Sequence, residues 1–154
     1  MSPRILLVTG SRVLAGSAEE RTAQVMLRAF IEQFAPVFVV AGDARGPDEW
    51  AVDIASSNDV ALPHVRIYGL DGWVRSAAGK DVRRWTQAEK YTPLDRNTAM
   101  VRHVARERDK GAHVEVVGLE AAWSATRGTA HTLTAARGAG LSITRITFER
   151  SEGR

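Results

Sequence analysis

The chain contains no cysteine, which excludes disulfide bonds and thiolate metal sites. It also lacks any apolar run that approaches the roughly 18 residues of a membrane-spanning helix. The first apolar run, Ile5 to Val8, is too short for the core of a signal peptide. We therefore expect a cytoplasmic protein that has no membrane partner.

A large excess of one charge is absent as well. The 21 Lys and Arg residues and the 18 Asp and Glu residues leave a formal net charge of +3. The basic residues are spread along the chain, which suits a small anionic ligand and is weak evidence for nucleic acid. The four histidines do not have metal-ligand spacing, so we expect no metal site.

The length of 154 residues fits one domain, and the composition of 44% hydrophobic and 25% charged residues is that of a globular protein. We expect a single domain over residues 1–150 and a frayed tail over residues 151–154. Within the domain, five apolar segments are typical of strands: Ile5 to Thr9, Val37 to Ala41, Val65 to Tyr68, Val114 to Leu119 and Leu141 to Phe148.

Helical patterns separate these segments. A capping box at Ser17 and Glu20 predicts a helix to about Gln33, and Thr92-Pro93-Leu94-Asp95 predicts another to about Lys110. Two further helices are expected to begin near Pro47 and Gly128. Alternating strands and helices predict an α/β fold, a three-layer doubly wound (Rossmann-like) parallel sheet of about five strands, in the order 3-2-1-4-5.

Some finer expectations follow from the local patterns. The first helix should bury Thr22, Met26, Phe30 and Phe34, which recur every four residues. The segment 69–91 has no clean period, and residues 83–90 are expected to form a turn or two of helix. In the last strand the alternation slips at Arg145, which indicates an edge strand with a bulge.

Glycine and arginine recur in the loops that should connect the predicted strands to the helices that follow them. The segments are Thr9-Gly10-Ser11-Arg12, Gly42-Asp43-Ala44-Arg45-Gly46-Pro47-Asp48 and Ser124-Ala125-Thr126-Arg127-Gly128-Thr129. In a parallel sheet they meet at the carboxyl edge, where open α/β sheets bind ligands. Glycine permits close backbone approach, helix N-termini attract anions, and arginine offers a planar fork. Leu94-Asp95-Arg96-Asn97 opens a helix at the same edge.

These segments predict a phosphate or nucleotide site. Its candidate ligand-binding residues are Thr9, Gly10, Ser11, Arg12, Gly42, Asp43, Ala44, Arg45, Gly46, Asp48, Arg96, Asn97, Ser124, Arg127, Gly128 and Thr129. Each segment also has a purely structural interpretation, namely turns with solvated arginines and an Asp48 that caps a helix and pairs with Arg45. No catalytic set is legible, and Asp43 and Asp48 are the weak candidates for an acid or base.

Together the segments resemble the SLOG superfamily, the Rossmann-like group that contains the DprA and LOG proteins. The small YspA- and YpsA-related branch is most similar. Its T-G-S-R strand exit matches Thr9 to Arg12, and its G-x-A-x-G-x-D loop matches Gly42, Ala44, Gly46 and Asp48. Its W…GK region, R-N helix start and G-T helix start match Trp73 with Gly79-Lys80, Arg96-Asn97 and Gly128-Thr129. The resemblance covers about residues 4–148.

The resemblance implies a nucleotide ligand such as ADP-ribose or a nucleoside phosphate, bound by a sensor or effector domain, and a homo-oligomer; no cofactor is required. An alternative is an N-glycosidic nucleotide hydrolase of the LOG phosphoribohydrolase type. Thr132 stands where the LOG pattern has Glu, which argues against hydrolysis. A second alternative is single-stranded DNA binding as in DprA, through Trp73, Arg75, Lys80, Arg83, Arg84 and Trp85 of the 69–92 segment.

Overall fold

The computed structural model describes residues 2–57, 64–125 and 127–150. These residues form seven strands and four helices in an α/β arrangement. The strands are β1 (Arg4–Gly10), β2 (Phe38–Gly42), β3 (Val65–Tyr68), β4 (Trp73–Ser76), β5 (Asp81–Arg84), β6 (His113–Ala121) and β7 (Ser142–Phe148). The helices are α1 (Glu20–Phe34), α2 (Pro47–Ser57), α3 (Pro93–Asp109) and α4 (Gly128–Gly138).

One mixed sheet has the strand order β5-β4-β3-β2-β1-β6-β7. Five neighbouring strands of this sheet are parallel, in the order β3-β2-β1-β6-β7, which confirms the predicted order. The expected count of about five strands is wrong, because β4 and β5 extend the β3 edge as an antiparallel hairpin. All of β5 is exposed or half-buried, so no apolar run marks it in the sequence.

Helices cover both faces of the sheet. Leu6 and Val8 of β1 pack with α1 and α2, whereas Leu7 packs with α3 and α4. All three side chains are fully buried, as expected for a parallel strand between two helical layers. The hydrophobic cores on the two faces of the sheet hold the parallel strands in place, so the carboxyl ends of these strands lie side by side.

The first helix differs from the prediction in its start and in its buried face. It begins at Glu20, and the Ser17 hydroxyl donates to the Leu14 carbonyl (2.7 Å) instead of capping the helix. Its core face is Ala23, Leu27, Ile31 and Phe34, while Thr22 and Met26 of the predicted face are exposed. Apolar residues repeat about every four positions on two neighbouring faces of the helix, and the face that contains Leu27 and Ile31 packs on the sheet.

The other predicted helix starts are confirmed. Thr92 and Asp95 form the capping box of α3, with hydrogen bonds of 3.1 and 2.8 Å in the two directions. Helix α2 begins at Pro47, and α4 begins at Gly128.

Two finer expectations are wrong. Residues 83–90 form no helix, because Arg83 and Arg84 belong to β5. The bulge at Arg145 is also absent, since β7 pairs with β6 in unbroken register from Ser142 to Phe148. The edge position of this strand is confirmed. The predicted tail, 151–154, and Thr126 lie outside the described residues. In the part of the chain that the structure describes, no helix combines the length and apolarity needed to cross a bilayer.

Candidate functional site

The exit of β1 is fastened to the exit of β6. The Ser11 backbone N–H donates to the Leu119 carbonyl (2.9 Å), and the Ala121 N–H donates to Ser11 Oγ (3.0 Å). Ser11 and the neighbouring Thr9 are buried. The hydroxyl of Ser11 therefore acts first as an acceptor that fixes two loops of the predicted site to each other.

The loops after β1 and β2 pack through glycines. A Cβ on Gly10 would lie 2.3 Å from Pro47 Cγ, so the first turn of α2 rests directly on the Gly10 backbone. Gly46 has φ +85°, a left-handed conformation that favours glycine, and its α-carbon faces the Ser11 carbonyl. The close approach at Gly10 and the positive φ at Gly46 explain why both loops carry glycine at these positions.

Arg96 is the centre of a buried polar cluster. Its Nη1 donates to Asp43 Oδ1 (2.8 Å) and to the Tyr68 carbonyl (3.1 Å), and its Nε donates to Asn97 Oδ1 (2.9 Å). The second oxygen of Asp43 accepts from the Leu70 N–H (3.1 Å). A buried guanidinium is costly unless its donors are satisfied, and here one side chain joins the exits of β2 and β3 to α3.

Asp48 is a second buried ionisable group at this edge. Burial raises the pKa of its carboxyl from 3.8 to about 7, against the opposing charge of Arg96 and a hydrogen bond from the Ala44 N–H (3.3 Å). A Cβ on Gly42 would lie 2.7 Å from Asp48 Oδ2 and 2.8 Å from Arg96 Nη1. Glycine at position 42 therefore makes room for both groups.

The start of α4 lies beside the start of α3. The Asn97 amide nitrogen is 3.7 Å from where a Cβ on Gly128 would be. Thr129 is buried, and the fully buried Thr132 donates its hydroxyl to the Gly128 carbonyl (3.0 Å). The Thr132 hydroxyl is thus committed to the helix backbone. Ser124 is half-buried and its N–H donates to the Ala121 carbonyl, in the loop that precedes α4.

Three guanidinium groups project from these loops. Arg12, Arg45 and Arg127 are exposed, and none of them forms an ion pair with another described residue. They follow β1, β2 and β6 at the carboxyl edge, next to the N-termini of α2 and α4. The edge therefore combines positive charge with two helix N-termini, supported by the buried hydrogen bonds described above.

The structure brings together all the predicted loops, but it divides their roles. Arg96, Asp43, Asp48 and Ser11 hold the loops, whereas Arg12, Arg45 and Arg127 face solvent. Sequence reasoning missed the backbone groups of Tyr68 and Leu70, because carbonyl and amide partners leave no residue-type signal.

Several basic and aromatic residues of the 69–92 segment have partners within the same segment. Arg75 pairs with Asp71 (2.6 Å) and Asp81 (2.9 Å), and the Trp85 indole N–H donates to the Gly69 carbonyl (2.7 Å). Arg84 lies over the ring of Trp73, 5.5 Å from its centroid. The rings of Trp73, Trp85 and Tyr91 are half-buried.

Within the described ranges, no three His, Asp or Glu side chains come together as a metal site. Comparison of the chain with protein-family models, with curated proteins and with solved structures finds no match. The functional argument therefore rests on the geometry of the carboxyl edge.

Proposed function

We propose that the carboxyl edge of the sheet binds a nucleotide or a nucleotide derivative, such as ADP-ribose or a nucleoside phosphate, and that the domain acts as a sensor or effector. The observation that carries this proposal is the set of three exposed guanidinium groups, Arg12, Arg45 and Arg127, which lie beside two helix N-termini and form no ion pair within the described ranges. Phosphate is the biological anion that best matches planar forks combined with backbone amides.

The rigidity of the loops supports the same proposal. Ser11 is bonded to β6, Gly10 packs on Pro47, and Arg96 ties Asp43 to the exit of β3. A preformed site loses less conformational entropy when its ligand binds, so the buried cluster favours affinity without touching the ligand. The SLOG resemblance points to the same ligand class, by analogy of motifs.

The test is isothermal titration of AMP and ADP-ribose into wild type, Arg12→Ala and Arg45→Ala. A hydrogen bond to a charged group contributes about 1.5–3 kcal/mol, so each variant should bind about 10- to 150-fold more weakly. Arg21→Ala, an exposed arginine of α1, is the matched control and should bind as wild type does. Unchanged affinity in both loop variants, with intact folds by circular dichroism, would reject this placement of the ligand.

One observation favours a second candidate, hydrolysis of the N-glycosidic bond of a nucleotide. A carboxyl whose pKa lies at about 7, as burial gives Asp48, can exchange a proton near neutral pH. In this reaction water adds to the ribose C1′ and the base leaves with a proton. Release of free base from AMP, followed by chromatography and lost in Asp48→Asn, would support it; no release above the buffer blank would exclude it.

Homo-oligomerisation is part of the same proposal, and it rests on the SLOG resemblance alone. Size-exclusion chromatography with light scattering measures the mass directly. A mass near the 16.8 kDa of one chain would contradict the expected oligomer.

A further inference from the structure

A cavity of about 400 Å³ lies at the carboxyl edge, on the face of the sheet that α1 covers. The loop between β1 and α1 forms one wall, and the chain that follows β6 and β7 forms the other. Its lining includes Val13, Gly16, Ser17, Glu19, Trp123 and Arg150. None of these residues belongs to the predicted site, although the cavity borders it.

Trp123 gives the cavity a planar aromatic wall. The indole is half-buried against the core under α1 and α2, and the adjacent Ala122 N–H donates to the Phe148 carbonyl (2.9 Å). Arg150 lies over the ring, with its Cζ 5.2 Å from the ring centroid. A half-buried indole with an exposed guanidinium beside it suits a planar, π-rich group, which stacks against both once the guanidinium shifts outward from its position 5.2 Å above the ring.

The opposite wall is held in place by its own hydrogen bonds. Besides the bond from Ser17 to Leu14, the Gly16 N–H donates to Glu20 Oε1 (3.1 Å). Gly16 has φ +79°, and no other heavy atom lies within 4 Å of where its Cβ would be. A positive φ at this position favours glycine and turns the chain between the 3₁₀ helix and α1.

A single turn of 3₁₀ helix, Arg12–Leu14, lies between the cavity and the positively charged edge. The backbone of Arg12 lies against Gly46 in the loop after β2, whereas the next residue, Val13, lines the cavity. The two regions differ in charge. Arg12 and Arg45 offer two exposed guanidinium groups on one side, while the cavity on the other side is lined by one acidic residue, Glu19, and one basic residue, Arg150.

On these grounds we infer that the cavity beside Trp123 receives the base of the bound nucleotide while Arg12 and Arg45 hold its phosphate. The inference rests on the proposed function, because it assumes a ligand with one anionic end. It adds the ligand class at the other end, an aromatic heterocycle such as a nucleobase. A ligand with an anionic group and no ring would use only half of this edge.

The experiment compares AMP with ribose 5-phosphate, which lacks the base, by isothermal titration. Base stacking on an aromatic side chain is lost on substitution by alanine, so Trp123→Ala should weaken AMP binding about 10-fold or more. The same variant should bind ribose 5-phosphate as wild type does. Trp73→Ala, a half-buried tryptophan of the distant hairpin, is the matched control and should leave both affinities unchanged.

Two additional variants keep the test decisive if Trp123→Ala folds poorly. Trp123→Phe retains a stacking ring and should keep most of the AMP affinity. Arg150→Ala removes an exposed side chain and should weaken AMP binding several-fold while ribose 5-phosphate binding stays constant.

Each outcome has a distinct meaning. If the affinities for AMP and ribose 5-phosphate fall equally, or do not fall, in Trp123→Ala and Arg150→Ala, the base site is overturned and the phosphate site stands. Wild type that binds neither compound would overturn both the phosphate site and the base site.

Discussion

Replacing Asp48 by Asn should abolish a large pH dependence of folding stability. Burial holds the pKa of Asp48 at about 7 in the folded protein, compared with 3.8 for a solvated aspartate. As the pH rises from 4 to 7, the unfolded chain releases this proton and the folded chain retains it. The free energy of unfolding therefore falls over this window and levels off above pH 7.

The magnitude follows from the width of the window. Each pH unit in which only the unfolded state has lost the proton costs about 1.4 kcal/mol. Between pH 5 and pH 7, wild type should therefore lose about 2 kcal/mol relative to Asp48→Asn, because the folded carboxyl is itself half ionised at pH 7. The amide keeps the side-chain shape, and its oxygen still accepts from the Ala44 N–H, so the variant differs mainly in charge.

The assay is urea unfolding of both proteins at pH 5, 6, 7 and 8, monitored by tryptophan fluorescence. The difference between the two unfolding free energies at each pH cancels every titrating group that the proteins share. That difference should fall by about 2 kcal/mol from pH 5 to pH 7 and level off by pH 8. Parallel profiles would mean that Asp48 is already ionised in the folded protein at pH 5, and would refute the reasoning.

Other predictions concern packing, the buried arginine and a histidine. Gly10→Ala should lower the free energy of unfolding by about 2 kcal/mol or more, because its Cβ would lie 2.3 Å from the first residue of α2. Gly138→Ala, which has open space around its Cβ, should leave that free energy unchanged in the same urea assay. Arg96→Lys should destabilise by about 2 kcal/mol, since an ammonium group cannot reproduce the fork that reaches three acceptors, whereas the exposed Arg102→Lys should not; equal unfolding midpoints would contradict this. Burial and then neighbouring arginines lower the pKa of His103 to about 4, so its NMR signals should report a neutral ring at pH 5.5, and its contribution to stability should decline as the pH falls from 6.5 towards 4; a midpoint near 6.5 would contradict it.

The parallel core of the fold was predictable because its strands are nearly continuous apolar runs. Leu6, Leu7 and Val8 are buried on the two faces of the sheet, and such an apolar run is recognisable without knowing which strand pairs with it. The hairpin was not predictable, since Asp81 to Arg84 is mostly charged and pairs through backbone hydrogen bonds with β4.

The candidate site was predictable in place but not in its division of roles. Glycine and arginine after β1, β2 and β6 locate the carboxyl edge. Arg96 was expected to face the ligand, whereas it is buried and pairs with Asp43, which lies 53 residues away in sequence. Such a pairing depends on the packing of α3 against the strand exits, which local sequence patterns do not encode.

The measurement that tests the central claim most directly is a thermal-shift panel with AMP, ADP-ribose, NAD and a short oligo-dT. A ligand at 100 times its dissociation constant adds about 2.7 kcal/mol, which raises the midpoint of a domain this size by about 5–10 °C. The account predicts such a shift with at least one nucleotide and none with oligo-dT. No shift with any nucleotide, or a shift with oligo-dT alone, would contradict it.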